Sequence, residues 1–172
     1  MASTYELIAS QTLGSSAAYI EFTSISATFD DLMLVCSLRS DRASSTVDNI
    51  RLRFNGASTD TNLSVRYLSG SGSGASSFVL SSFAYIGNAT ASGSTASTFG
   101  NAECYIPNYA GSTNKSFSAI GLNEANATLA YIDAVAGLWS DTSAITATKL
   151  FPGNGSNWVS GSSAYLYGIS HS

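Results

Sequence analysis

The amino-acid sequence predicts an all-β fold, an antiparallel β-sandwich of jelly-roll-like form. Three observations lead there. Apolar and polar residues alternate with a period of two through much of the chain, Gly/Ser/Asn clusters interrupt the runs at short intervals, and no stretch concentrates helix formers at a 3.6-residue period. Many short strands with turns between them form sandwiches or barrels rather than α/β layers.

The elements follow in chain order. Residues 5–9 and 18–22 are short strand candidates. Residues 30–39 read DDLMLVCSLR, with Leu32, Leu34, Cys36 and Leu38 on one face and Met33, Val35, Ser37 and Arg39 on the other. Residues 49–54 place Ile50, Leu52 and Phe54 inward and Arg51 and Arg53 outward, and Asn55-Gly56 ends that strand with a dipeptide suited to positive φ. Leu63, Val65 and Tyr67 alternate with Ser64 and Arg66, which makes this segment a plausible hairpin partner for the preceding strand. Further strands are expected at 78–86 (FVLSSFAYI), 99–106, 115–122, 129–139 (LAYIDAVAGLW), 145–151 and 163–169. Between them, SGSGSGASS at 69–77 reads as a flexible loop and GNATASGSTAST at 87–98 as a long polar loop. PNYAGSTN at 107–114 and PGNGSN at 152–157 are tighter turns. An immunoglobulin-like sandwich is the competing topology, but its Cys…Trp…Cys order is absent, because Trp139 follows both cysteines.

A chain of 172 residues fits one domain, spanning 1–172, with 1–15 as an N-terminal arm or edge strand. Hydrophobic residues make up 44%, enough for a substantial core, while charged residues are only 10%, against a typical ~25%. The surface is therefore covered mainly by Ser, Thr, Asn and Gly, which suits a protein whose surface is partly covered by neighbours in an assembly. A net charge of −4 argues against nucleic acid as partner. Arg39, Arg42, Arg51, Arg53 and Arg66 do fall in one stretch, but Asp30, Asp31, Asp41, Asp48 and Asp60 are interspersed with them. They read as solvated or intersubunit ion-pairing positions. MASTYELIAS has no basic or apolar signal region, and no run of about 18 apolar residues occurs, so neither a signal peptide nor a membrane span is expected. Cys36 and Cys104 sit in apolar strand patterns without metal-ligand spacing, and buried free thiols are expected in preference to a disulfide.

The sequence offers little for catalysis. The one histidine, His171, is next to last, where a general base is rarely held. GxSxG and HExxH motifs are absent. Glu21, Glu103, Glu124 and Asp133 lie in or near strands, but their spacing does not require them to converge. Residues 58–62 (STDTN) offer calcium only one carboxylate. Neither a cofactor nor a metal is expected. Trp139, Trp158, Tyr109, Tyr131 and Tyr167 could stack on sugars, yet core or interface packing is the simpler reading. Trp158 is the best candidate for exposure, because it follows the 152–157 turn.

TYELIASQTLGSSAAYIEFTSI, FDDLMLVCSLRSDR, IRLRFNG, FGNAECYIPNYAGSTNKSFS, AGLWSDTSAITATKLFP and YLYGIS occur in series over nearly the whole chain. As a series they resemble a family of small bacteriophage and prophage virion structural proteins, which occur as stand-alone proteins and as terminal domains of longer tail proteins. The resemblance implies a location on the particle surface after synthesis in the host cytoplasm, and it carries no active site. It implies a capsid decoration (cement) protein, a homo-oligomer and commonly a trimer, bound between subunits of the major capsid protein. Arg39, Arg42, Arg51 and Arg53 are then the expected capsid or subunit contacts, with 1–9 as an arm or edge strand toward a neighbour. The alternative is a tail-fibre or receptor-binding tip domain, attached to a tail protein and recognising host-surface glycan through Trp158. A particle-bound glycan hydrolase is the weakest reading.

Overall fold

The protein is described by a computed structural model, which covers residues 4–56, 62–126 and 129–171. Twelve strands occur among the described residues: β1 (Tyr5–Thr12), β2 (Ile20–Phe22), β3 (Asp31–Leu38), β4 (Val47–Phe54), β5 (Leu63–Gly70), β6 (Ala75–Leu80), β7 (Ala84–Thr90), β8 (Gly100–Ile106), β9 (Lys115–Asn123), β10 (Tyr131–Trp139), β11 (Thr148–Pro152) and β12 (Ser163–Ile169). They form two antiparallel sheets. The larger has eight strands in the order β1-β12-β3-β8-β9-β10-β5-β6, and the smaller has four in the order β2-β11-β4-β7. The all-β sandwich expected from the alternation is the observed fold.

The first two strands pair with the last two, β1 with β12 in the larger sheet and β2 with β11 in the smaller. The two ends of the chain thus run as one doubled ribbon that crosses between sheets, which is the jelly-roll-like element of the topology. The segment expected as an arm or edge strand is an edge strand of the chain's own larger sheet, and residues 1–3 lie outside the described residues.

The core fills the space between the sheets with the residues that alternation placed inward. Leu32, Leu34, Cys36 and Leu38 of β3 and Ile50, Leu52 and Phe54 of β4 belong to one cluster, all essentially buried. Phe54 meets Phe117 at 6.0 Å and Trp139 at 5.2 Å between ring centroids. Cys36 and Cys104 are free and buried. Burial pushes the Cys36 thiol up to about 12 and raises that of Cys104 as well.

Four local expectations are corrected. The run 78–86 is not one strand: Phe78–Leu80 ends β6 in the larger sheet and Ala84–Ile86 begins β7 in the smaller, with the chain crossing at residues 81–83. Serines 81 and 82 remain exposed because they bridge the two layers. Residues 69–77 are not all loop, since only 71–74 separate β5 from β6. The polar stretch 87–98 begins inside β7, which is buried along its whole length. Gly87 has a φ of 139°, and a Cβ there would stand 2.7 Å from the Gly121 Cα, so the backbones of β7 and β9 touch where no side chain fits. Lastly, β4 and β5 lie in different sheets. The hairpin partner of β5 is β6, and its other neighbour is β10.

Candidate functional site

The inner face of the larger sheet is committed to the core, so any site on this sheet must use the opposite face. Along β9 and β10 that outer face carries Ser118, Ile120 and Leu122 beside Ile132, Ala134 and Ala136. Ile120 pairs with Ala134 and with Glu103 of β8, and Ala136 pairs with Arg66 of β5. The floor at the centre is built of small residues, Ser118, Ala134 and Ala136. Larger ones rise on both sides, Met33 and Tyr105 on one and Leu68 and Val79 on the other. The result is an open apolar trough of about 550 Å³. Leu68 is 62% exposed and Val79 63% exposed, so the trough presents these side chains to the surroundings. Arg66 and Glu103 are the charged residues among its lining. Contiguous exposed apolar surface of this kind marks interaction sites more often than chemistry.

The arginines expected to contact a neighbour have partners within the chain. The Arg39 guanidinium donates to the carbonyls of Ser94 (3.2 Å), Thr95 (2.8 Å) and Thr98 (3.1 Å), which ties residues 94–98 to the end of β3. Arg42 donates to the Val47 carbonyl at 3.0 Å and lies 3.9 Å from the buried Asp48 carboxylate. Arg51 covers the Phe83 ring at 4.0 Å and Arg53 the Phe151 ring at 4.2 Å. With Lys149 over Tyr19 (4.3 Å) and paired with Glu21 (3.2 Å), they give the outer face of the smaller sheet a cationic and aromatic character. Trp158, expected to be the exposed aromatic, is fully buried and donates its indole N–H to the Leu150 carbonyl at 3.0 Å. The reason is local. Asp41 and Asp48 accept hydrogen bonds from the backbone N–H groups of residues 154–157 and draw the turn inward, which carries the next residue into the core.

Two polar clusters were not legible in the sequence. Asp31, at the start of β3, accepts hydrogen bonds from the Tyr105 hydroxyl (2.6 Å) and the Asn108 N–H (2.9 Å), and its Oδ2 lies 2.8 Å from His171 Nε2. Burial pushes the Asp31 carboxyl up, but these three contacts together outweigh it and hold the group below its ordinary value. The hydrogen bond to Asp31 pushes the Tyr105 hydroxyl up to about 12. His171 is therefore held despite its place near the C-terminus, and its backbone N–H also donates to Asp30 Oδ2 at 2.6 Å. In the second cluster, between the sheets, Asp133 Oδ2 accepts from the Tyr85 hydroxyl (2.8 Å) and from Asn88 Nδ2 (3.0 Å). Of Glu21, Glu103, Glu124 and Asp133, only Asp133 lies in one of these clusters: Glu103 lies in the trough, while Glu21 pairs with Lys149 on the smaller sheet. Among the described residues no three His, Cys, Asp or Glu side chains group to hold a metal, and no helix is long and apolar enough to cross a membrane. Residues 58–61, weighed for calcium, lie outside the described residues.

Neither the known protein families nor the curated proteins include a match to this chain. Among solved structures it is similar to a scytalido-glutamic peptidase in complex with a transition-state analogue inhibitor, at 13% identity and a TM-score of 0.26. The similarity covers 91% of this chain and 66% of that one.

Proposed function

We propose that this chain is a non-enzymatic structural protein of a bacteriophage particle, a decoration protein that seats its apolar trough against the major capsid protein. The observation that supports this reading is the outer face of β9 and β10, where Ile120, Leu122 and Ile132 remain 42–55% exposed on a sheet whose other face already forms the core. Surface of this kind is stabilised when a partner removes it from water, at about 25 cal/mol per Å² buried. The low charge of the whole chain agrees with a surface covered in an assembly. A trimeric assembly, formed on the shell at the junction of capsid subunits, is part of the proposal. The glycan-recognition alternative loses its contact residue, because Trp158 is in the core.

The test places charge in the trough. An Ile120→Lys/Ala134→Lys double variant changes only outward-facing positions, so it should keep the wild-type far-UV circular dichroism. Its occupancy on purified particles, measured by quantitative mass spectrometry against the major capsid protein, should fall at least tenfold, or about 1.4 kcal/mol of binding. Wild-type occupancy by this variant would exclude the trough as the docking face. A copy number far below that of the capsid protein would move the chain from the head to the tail.

A further inference from the structure

The two sheets end in four edge strands, and three of them are protected. β1 has a register shift between Leu7 and Ala9 and carries Glu6. β2 is three residues long, and its Glu21 is paired with Lys149. β7 is buried throughout. β6 is different: ASSFVL has no charge, proline or bulge, and five of its six residues are exposed. Natural sheets guard such an edge unless it pairs with something.

The hairpin geometry identifies the free groups. Ser71 donates its N–H to the Gly74 carbonyl at 3.0 Å, so 71 and 74 form a hydrogen-bonded pair at the turn. Along the ladder, Ser76, Phe78 and Leu80 then bond to β5, while Ala75, Ser77 and Val79 aim N–H and C=O away from it. The strand is also graded in size, with Ala75, Ser76 and Ser77 in its first half and Phe78, Val79 and Leu80 in its second.

We propose that β6 is a self-association edge, at which two copies of this chain pair β6 with β6 in antiparallel fashion about a two-fold axis at Ser77. This register lets the outward N–H and C=O groups of both strands bond to each other. It also sets each large side chain against a small one: Val79 lies opposite the partner's Ala75, and Phe78 opposite the partner's Ser76. The size gradient is thus complementary to itself when reversed, which argues for a second copy rather than an unrelated strand. No like charges meet at the seam. The one charged side chain on β5 is Arg66, opposite Val79. Two such arginines stand three strand spacings apart, at least ~14 Å, beyond the ~8 Å screening length at physiological salt. The pairing joins two eight-stranded sheets edge to edge and lines up their troughs. A seam ~20 Å long is at the small end of specific interfaces, so the dimer forms at micromolar or higher concentration.

Sedimentation equilibrium of the purified full chain from ~5 to ~500 μM tests this independently of any particle role. The wild type should pass from monomer toward twice that mass. Ser77→Pro removes an outward N–H and leaves the β5 ladder intact, so this variant should stay monomeric across the range. Ser77→Lys, which sets two cations on the two-fold axis, should do the same and provides the readout if the proline variant does not fold. A wild type that remains monomeric at ~500 μM overturns the proposal. So does association, dimeric or trimeric, that is unchanged in a folded Ser77 variant.

Discussion

Trp158 sits between the sheets with its backbone bridged to Ala17 and Ser40 and its indole N–H donated to Leu150. An indole of this size contributes through both its buried apolar area and its one polar contact. Trp158→Ala removes both, and it should destabilise the fold by about 3–5 kcal/mol. Urea unfolding at neutral pH measures that loss, and a loss below about 1 kcal/mol would mean that the position is not core. Lys115 is a second fully buried residue, and it is held by contacts rather than exposure. Its Nζ donates to the Gly111 and Thr113 carbonyls, which satisfies the ammonium group that burial disfavours.

Among the elements, the segment 91–99 is a loop anchored at both ends: residues 91–94 bond to Arg42, Ser45 and Thr46, while Arg39 and the Thr90 hydroxyl hold its second half. It contains little apolar surface and has short turns at Ser94 and Thr98. Arg39 closes it by donating to three of its carbonyls. Such charge-assisted bonds suit a guanidinium, which offers several donors in a rigid fork. Arg39→Met should leave the strands intact and cost about 1–3 kcal/mol. Amide hydrogen exchange should accelerate over residues 94–98 and stay near wild type in β8 and β9. Unchanged exchange in the loop would show that its turns and its bonds to Thr46 and Thr90 hold it without the guanidinium.

For the molecule as a whole, Asp31 is the polar node that ties the C-terminal residues to the start of β3 and to Tyr105 of β8. Its carboxyl is held below the ordinary value, so its contribution is complete above the unfolded value near ~3.9 and is lost as pH falls through the lower folded value. Wild type should therefore exceed Asp31→Asn in stability at pH 7, and the gap should close below about pH 4. Urea titrations from pH 7 down to pH ~2.5 check this, and a gap that stays constant would assign the effect to lost packing. The two outer faces also divide the molecule. Arg51, Arg53 and Lys149 over aromatic rings cover the smaller sheet, while the apolar trough lines the larger one.

The sequence by itself determined the fold class and most of the inward-facing residues. Leu32, Leu34, Ile50, Leu52 and Phe54 show why: a period of two assigns faces locally, without any knowledge of the partner strand. The apolar outer face of 129–139 was also present in the sequence, since Ile132, Ala134 and Ala136 are apolar opposite Asp133 and Val135, but a run apolar on both faces does not say which face is left uncovered. Tertiary structure decided the rest. Only the assembled sheets separate Phe78–Leu80 from Ala84–Ile86, turn Trp158 inward, and bring Asp31, Tyr105 and His171 together from three distant points in the chain. Alternation tells a residue which side of its strand it occupies. It does not tell the strand which neighbour it meets or whether its second face will be covered, because both depend on long-range pairing.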